Sequence, residues 1–333
     1  MKEENFRPTS RVFYSAWDYN VQSEPSIVGH QELTLEIEGL LAGVGAVGCS
    51  FLHTLWATPG LSGRLSLLDN DPKGLEASNL NRYILFGEAS IGLPKASTAA
   101  SLLTSSKIAF EGFDIGIGEF QAVQRPNYII SAVDKNTPRH QIQVRYPARL
   151  FSASTSDLRA EVLRCGPPGI GACLACYNKE ETVIGDEALR SKMINAPIQE
   201  LQIQADRLGC TVEMLRKALD QSHCGEVGER VLAELRESSD PHQFSVGFVS
   251  VMAGVMLASA YLKDKIPNST VLSDELQRAV FQFQNPLFPY NRAGSYGRDP
   301  SCTKCGPGPA LDIWTKRFNT LKKPEYQMVV TNV

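Results

Sequence analysis

Two groups of residues in this 333-residue chain have the types and spacing that chemistry needs. The first begins at Gly43-Val-Gly45-Ala-Val-Gly48. Glycines so spaced allow a tight turn and let a phosphate or ribose approach the backbone, and a helix starting there adds N–H donors and a favourable dipole. Asp69 closes the next apolar run, where a carboxylate can bind ribose hydroxyls. To this point a nicotinamide dehydrogenase would fit equally well. Ser78-Asn79-Leu80-Asn81-Arg82 and Lys95 do not suit a nicotinamide. Arginine grips phosphate bidentately and lysine supplies a point charge, so Asn79, Arg82 and Lys95 point to a triphosphate. Asp71 lies beside this group, and Asp134 ends a further apolar run, where a carboxylate could hold a magnesium ion bridging phosphates.

The second group is four of the eight cysteines, in two Cys-x-x-Cys pairs, Cys173/Cys176 and Cys302/Cys305. Four thiolates in two short knuckles suit a closed, tetrahedral structural zinc site. Two independent redox dithiols and four free buried thiols are the alternatives. The zinc would staple the end of the first half of the chain to its C-terminal part. Of the other cysteines, Cys49 follows the glycine loop on a predicted helix and reads as packing. Cys165 is assigned no role, and Cys210 lies at a predicted helix start, where a cap or core role competes with a low-pKa thiolate that would make it the second candidate acceptor. Cys224, in Ser-His-Cys-Gly-Glu, precedes a glycine turn and a helix, where N–H groups can depress a thiol pKa and favour nucleophilic attack. His223 could tune that thiolate.

The elements that must position these residues follow from the pattern. Apolar runs ending at the glycines, at Asp69 and at Asp134 read as strands, and the segments after Gly48 and from Pro94 as helices. Such βαβ alternation predicts an α/β fold with a largely parallel sheet. Residues 148–156 and 280–286 add strand candidates. We expect an N-terminal extension over 1–36, a nucleotide-binding half over 37–177 and a charged helical insert with Cys224 over 178–240. A closing half over 241–310 and a tail over 311–333 follow. Phe244–Leu262 is uncharged and long enough to span a bilayer, but its serines and glycines and its soluble context predict a buried helix.

Composition narrows the class. The chain is 43% hydrophobic and 21% charged, enough for a sizeable core. Its net charge of -3 argues against a strongly basic nucleic-acid binder. The opening MKEENFRPTS has no apolar core of a secretory signal, so a cytoplasmic protein is expected, with neither nucleic-acid nor membrane partners.

Taken together, GVGAVGCSFLHTL, LLDND, SNLNRYILFGEASIGLPKASTAA and SAVDKNTPR resemble the adenylation domain of the ThiF, MoeB, HesA and ubiquitin-activating enzyme superfamily, of bacterial type. The resemblance implies a Rossmann-like fold in which Gly43, Gly45 and Gly48 line ATP and Asp69 binds ribose. Asn79, Arg82 and Lys95 would hold phosphates, Asp134 magnesium, and Asn136 and Arg139 would support that site. The segment between Asp69 and Asn79 is slightly longer than the family norm, which leaves the role of Asp71 open. Only Arg7 and Arg11 stand where relatives carry an arginine for the partner subunit, and neither is assigned that role.

The resemblance also implies adenylation of the C-terminal glycine of a ubiquitin-like or sulfur-carrier protein, zinc on the four paired cysteines, an acyl thioester on Cys224, and a homodimer. The length of the insert favours conjugation through a conjugating partner over sulfur transfer. Activation of a sulfur carrier, adenylation of a small peptide or tRNA base adduct, and a catalytically silent scaffold subunit are the rivals. The intact set Asn79, Arg82, Lys95 and Asp134 argues against the scaffold.

Overall fold

The apolar run Leu35–Ala42 alternates buried and exposed positions and then becomes wholly buried, the pattern of a strand entering the middle of a sheet. The computed structural model describes residues 13–15, 21–22, 34–104, 106–121, 126–156, 158–168, 171–178, 191–207, 210–220, 246–266, 272, 276–284, 292–306 and 308–318. The strands are β1 (Phe13–Tyr14), β2 (Val21–Gln22), β3 (Leu35–Ala42), β4 (Leu61–Leu68), β5 (Ile108–Phe113), β6 (Tyr128–Ser131), β7 (Arg149–Ser156), β8 (Arg159–Cys165), β9 (Arg278–Gln282) and β10 (Arg292–Gly294). The helices are α1 (Ala46–Ala57), α2 (Lys95–Leu102), α3 (Asn136–Gln143), α4 (Leu174–Tyr177), α5 (Ile198–Arg207), α6 (Val212–Asp220), α7 (Gly247–Lys265) and α8 (Pro309–Phe318).

An eight-stranded sheet runs β10-β9-β8-β7-β6-β3-β4-β5. From β7 to β5 every neighbour is parallel, and β8, β9 and β10 join antiparallel. Strand β3 pairs with β4 in register Leu35↔Leu61 through Ala42↔Leu68, and on its other edge with β6. The chain therefore reverses its direction of travel across the sheet between β3 and β6. The carboxyl ends of those two strands, where the order reverses, are the usual ligand position in an open α/β sheet.

Residues 1–180 with 245–333 form one compact unit and residues 181–244 a second. In the first unit, α1 and α7 cover one sheet face through a core that includes Phe51, Leu52, Leu55, Met256, Leu257 and Tyr261. Gly254 lets the two helices approach, since a Cβ there would lie 2.4 Å from the Ser50 Cβ and 2.7 Å from the Phe51 nitrogen. The fully buried Tyr261 hydroxyl donates to the Glu38 carbonyl at 2.7 Å, anchoring α7 to β3. The uncharged run is thus a core helix, and no helix among the described residues is long and apolar enough to cross a membrane. Leu40, Ile129, Ile142, Leu150 and Leu174 form the core of the opposite face.

In the second unit, α5 and α6 share a small core of Met193, Leu201, Ala205, Leu215 and Leu219. The Met214 N–H donates to Thr211 Oγ1 at 3.2 Å, a side-chain cap that starts α6.

Candidate active site and metal centre

The glycine loop joins β3 to α1, and its three glycines act differently. Gly43 has φ +95°, and a Cβ on it would meet the Ala132 backbone at 2.7 Å. A Cβ on Gly48 would lie 2.1 Å from the Gly43 carbonyl oxygen, so this glycine seats α1 on the loop. Gly45 caps α1 without a side-chain hydrogen bond, and a Cβ there would meet only the Tyr83 side chain, with the hydroxyl at 3.4 Å. The backbone donors of the first turn of α1 thus open onto space rather than onto a capping side chain.

Asp69 leaves the end of β4 and turns back onto the loop. Its Oδ2 accepts the Val44 N–H at 2.8 Å and its Oδ1 the Asp71 N–H at 3.1 Å. Burial pushes its carboxyl up, and the two N–H groups work against that shift. Each oxygen keeps a lone pair that a sugar hydroxyl could use. Asp71 bonds Lys95 Nζ through Oδ2 at 2.5 Å. Burial works to raise the Asp71 carboxyl, but the Lys95 hydrogen bond and the Lys73 N–H outweigh it and hold Asp71 below the usual carboxylate range. Burial likewise works against the Lys95 ammonium, and Asp71, Tyr83 and Asp69 together hold it above the usual lysine value. Lys95 begins α2 and is only 6% exposed, so this charge depends on those partners.

Tyr83, which the sequence alone did not single out, lies close to both cations. Its ring centroid is 5.3 Å from the Arg82 guanidinium carbon and 5.4 Å from Lys95 Nζ. Arg82 Nη1 donates to the Ser78 carbonyl at 2.6 Å and to Asn81 Oδ1 at 3.0 Å. Asn79 is buried and accepts the Glu76 N–H through Oδ1 at 3.1 Å, closing a capping box that shapes the 76–80 turn. Its amide oxygen therefore holds the loop, which leaves the amino group as the part suited to a phosphate.

The strand before Asp134 is shorter than its sequence suggests. It ends at Ser131, although the Ala132 N–H still reaches the Ala42 carbonyl at 2.8 Å. The Ala132 backbone lies against Gly43, so the chain leaves the sheet there and Asp134 is exposed beyond it. Helix α3 follows. Arg139 Nη1 donates to Asn136 Oδ1 at 3.0 Å and to Asn178 Oδ1 at 2.8 Å, and His140 Nε2 meets the Asn178 carbonyl. Gln143 Oε1 accepts the Leu174 N–H at 2.9 Å. These bonds dock α3 on the segment that carries Cys173 and Cys176.

The four paired cysteines converge. Their sulfurs all lie within 4.8 Å of one another. Three separations are 3.8 Å (Cys173 to Cys176), 3.7 Å (Cys173 to Cys302) and 3.5 Å (Cys176 to Cys305). A tetrahedron of sulfurs about 2.3 Å from a central zinc has edges of about 3.8 Å, so the set fits that ion. Hydrogen bonding from Cys173 first, and also from Cys176 and Cys302, brings Cys305 down to about 6 against the effect of burial.

The ThiF family pattern matches residues 20–302. The chain belongs to the ThiF family. Uncharacterized protein y4jF of Sinorhizobium fredii is 29% identical over 255 residues, 67% of this chain and 48% of that protein. Ubiquitin-activating enzyme E1 1 of Schizosaccharomyces pombe is 40% identical over 83 residues, 23% of this chain and 8% of that protein. The chain thus spans about half the length of the first relative and a small part of the second. Among solved structures, Escherichia coli MccB in complex with MccA-N7isoASN superposes with a TM-score of 0.53 at 17% identity, over 80% of this chain and 67% of that one. That likeness is one of fold.

The other cysteines of this ThiF-family chain divide by environment. Cys49 is fully buried beneath the glycine loop, and burial, with Asp69 nearby, pushes its thiol far up. Burial pushes Cys165 up to about 12. Cys210 packs against the core of the insert, and its N–H donates to the Ala205 carbonyl at 2.9 Å. It precedes α6 rather than beginning it. Cys224 and His223 lie outside the described residues, as do Arg7 and Arg11.

Proposed function

We propose that the chain adenylates the C-terminal glycine of a ubiquitin-like protein with MgATP and then carries the acyl group on Cys224 for transfer through a conjugating partner. The observation that carries this reading is the gathering of Asp69, Asp71, Lys95, Arg82 and Tyr83 around a glycine loop at the switch point of the sheet. A nicotinamide site has no use for a buried lysine and a neighbouring arginine, whereas a triphosphate does.

The α-phosphate would lie at the N-terminus of α1, with Asp69 on the ribose. A carboxylate oxygen of the substrate attacks the α-phosphorus, and the bond to the bridging oxygen of the β-phosphate breaks. Pyrophosphate leaves with that electron pair, and an acyl-adenylate remains. A carboxylate is already ionised, so no general base is required, and Arg82 and Lys95 act by charge and position. Asp134 is exposed and makes no ion pair among the described residues, which suits a hard cation. Magnesium held there would neutralise phosphate charge. In the second step the Cys224 thiolate attacks the acyl carbon, forms the thioester and releases AMP. Cys49 and Cys165 are buried, Cys210 is half-buried against the small core of α5 and α6, and the paired cysteines cluster, which favours Cys224 as the acceptor. Two copies of the chain are expected to associate.

Carrier-dependent exchange of pyrophosphate into ATP tests the first step. A non-reducing gel of the carrier reaction tests the second. We expect a thiol-sensitive adduct that Cys224→Ala abolishes while exchange continues. An adduct that survives Cys224→Ala overturns the acceptor, and a carrier thiocarboxylate found by mass spectrometry overturns conjugation in favour of sulfur transfer.

A further inference from the structure

We infer that Tyr83 is a nucleotide-positioning residue, its ring holding Arg82 and Lys95 in place while its hydroxyl binds the phosphates of ATP over Gly45. The inference rests on the adenylation reading and adds to it a nucleotide-contacting residue that neither the glycine pattern nor the charged residues announce.

Three observations support it. The Tyr83 ring lies 5.3 Å from the Arg82 guanidinium carbon and 5.4 Å from Lys95 Nζ, within cation–π range of both. One ring is thus within reach of both cations. The ring is itself fixed, since Tyr83 is 8% exposed, belongs to the main core and packs against Phe86 at 6.2 Å. Third, the hydroxyl is the nearest atom to where a Gly45 side chain would stand, at 3.4 Å, and it makes no hydrogen bond among the described residues. Here the open partner position is the mouth of the α1 N-terminus, where phosphate oxygens are expected. Burial pushes the phenol up, so it stays protonated at neutral pH and can donate.

The two roles separate by substitution. Tyr83→Phe keeps the ring and removes the donor; Tyr83→Leu removes both. Direct binding of ATP and of adenosine to the full chain, by calorimetry, is compared with pyrophosphate exchange and with thermal unfolding. We expect Tyr83→Phe to unfold like the parent and to bind ATP about tenfold more weakly, the worth of one hydrogen bond to a charged group. Adenosine binding should be unchanged, and the loss should appear in KM for ATP with kcat nearly preserved. Tyr83→Leu should lower kcat as well, because Arg82 and Lys95 lose their support. Equal weakening of ATP and adenosine by Tyr83→Phe, or no weakening of either, overturns the role of the hydroxyl. A Tyr83→Leu variant with the kcat of Tyr83→Phe overturns the role of the ring. If the parent binds adenosine and ATP equally well, the adenylation reading itself fails, and this inference with it.

Discussion

The glycine loop allows fold and ligand binding to be separated by adding one methyl group at a time. At Gly48, inside α1, helix propensity alone predicts that alanine stabilises by about 1 kcal/mol. The geometry predicts the opposite. The new Cβ would lie 2.1 Å from the Gly43 carbonyl oxygen, where 3.4 Å is ordinary contact, so α1 or the loop must yield by 1.3 Å (3.4 − 2.1). Helix α1 cannot retreat freely, because Phe51, Leu52 and Leu55 are fully buried against the sheet and α7. Overpacking of this kind costs about 1–3 kcal/mol beyond the lost propensity gain. We expect Gly48→Ala to lower the Tm by about 5 °C, at about 2–4 °C per kcal/mol for a domain of this size. Gly43→Ala should cost a similar amount, from its φ of +95° and the Ala132 backbone 2.7 Å away. Gly45→Ala meets only the Tyr83 hydroxyl at 3.4 Å and should leave the Tm nearly unchanged. Its methyl group would stand where a phosphate must approach, so it should lose the rise in Tm that saturating ATP gives the parent. The assay is thermal unfolding followed by circular dichroism, with and without MgATP. A Gly48→Ala variant more stable than the parent would refute the packing of α1 on the loop. A Gly45→Ala variant with the full ATP-induced shift would refute the position assigned to the phosphates.

Other expectations follow from the same geometry. Lys95→Ala should reduce pyrophosphate exchange by about a hundredfold or more, the scale of removing one charge-stabilising donor from a transition state; exchange within a few-fold of the parent would remove Lys95 from the site. Metal analysis of the purified chain should find one zinc per chain, lost in Cys302→Ser together with thermal stability, whereas a metal-free parent would return the cysteines to a redox or packing role. Alkylation of the native chain followed by mass spectrometry should modify Cys224 well before Cys49 or Cys165, which are buried with thiols pushed up. Early labelling of Cys49 would contradict its place beneath the glycine loop.

Much of the framework was legible from residue patterns because the signals are local. Alternation of apolar runs with glycine and proline breaks marks β3, α1 and β4, and two close cysteine pairs announce a tetrahedral site before any fold is known. What was less legible depends on packing between distant segments. Asp134 ends an apolar run in the sequence, yet the strand stops at Ser131 because the backbone must pass Gly43. Tyr83 looks like one more aromatic residue beside Arg82, and its position near both cations and over Gly45 requires the 81–95 segment to fold back on the loop. Asn178 carries no motif, but it joins the cysteine knuckle to α3 through Arg139 and His140.

The pair Lys95–Asp71 determines what the site must give up when a nucleotide binds. A nearly buried ammonium is kept charged by a carboxylate whose side chain is 33% exposed. Because that partner is partly in water, the pair contributes only about 1 kcal/mol to the fold. The sign of its pH dependence follows from both shifts. Asp71 lies below its ordinary value, so its contribution is complete above the carboxylate range and is lost as pH falls through the lowered value. Lys95 lies above its ordinary value, so the alkaline loss comes only as pH rises through that raised value. The stability difference between parent and Asp71→Asn should therefore be flat from about pH 5 to 8 and vanish well below about pH 4. If Asp71 only holds Lys95 until phosphate replaces it, Asp71→Asn frees the ammonium and should bind ATP as tightly as the parent or a few-fold more tightly, while Lys95→Ala weakens binding. The two substitutions would then move ATP affinity in opposite directions although they break the same ion pair. Loss of ATP affinity in Asp71→Asn comparable to that in Lys95→Ala would show instead that the Asp71 carboxylate itself meets the nucleotide or its magnesium.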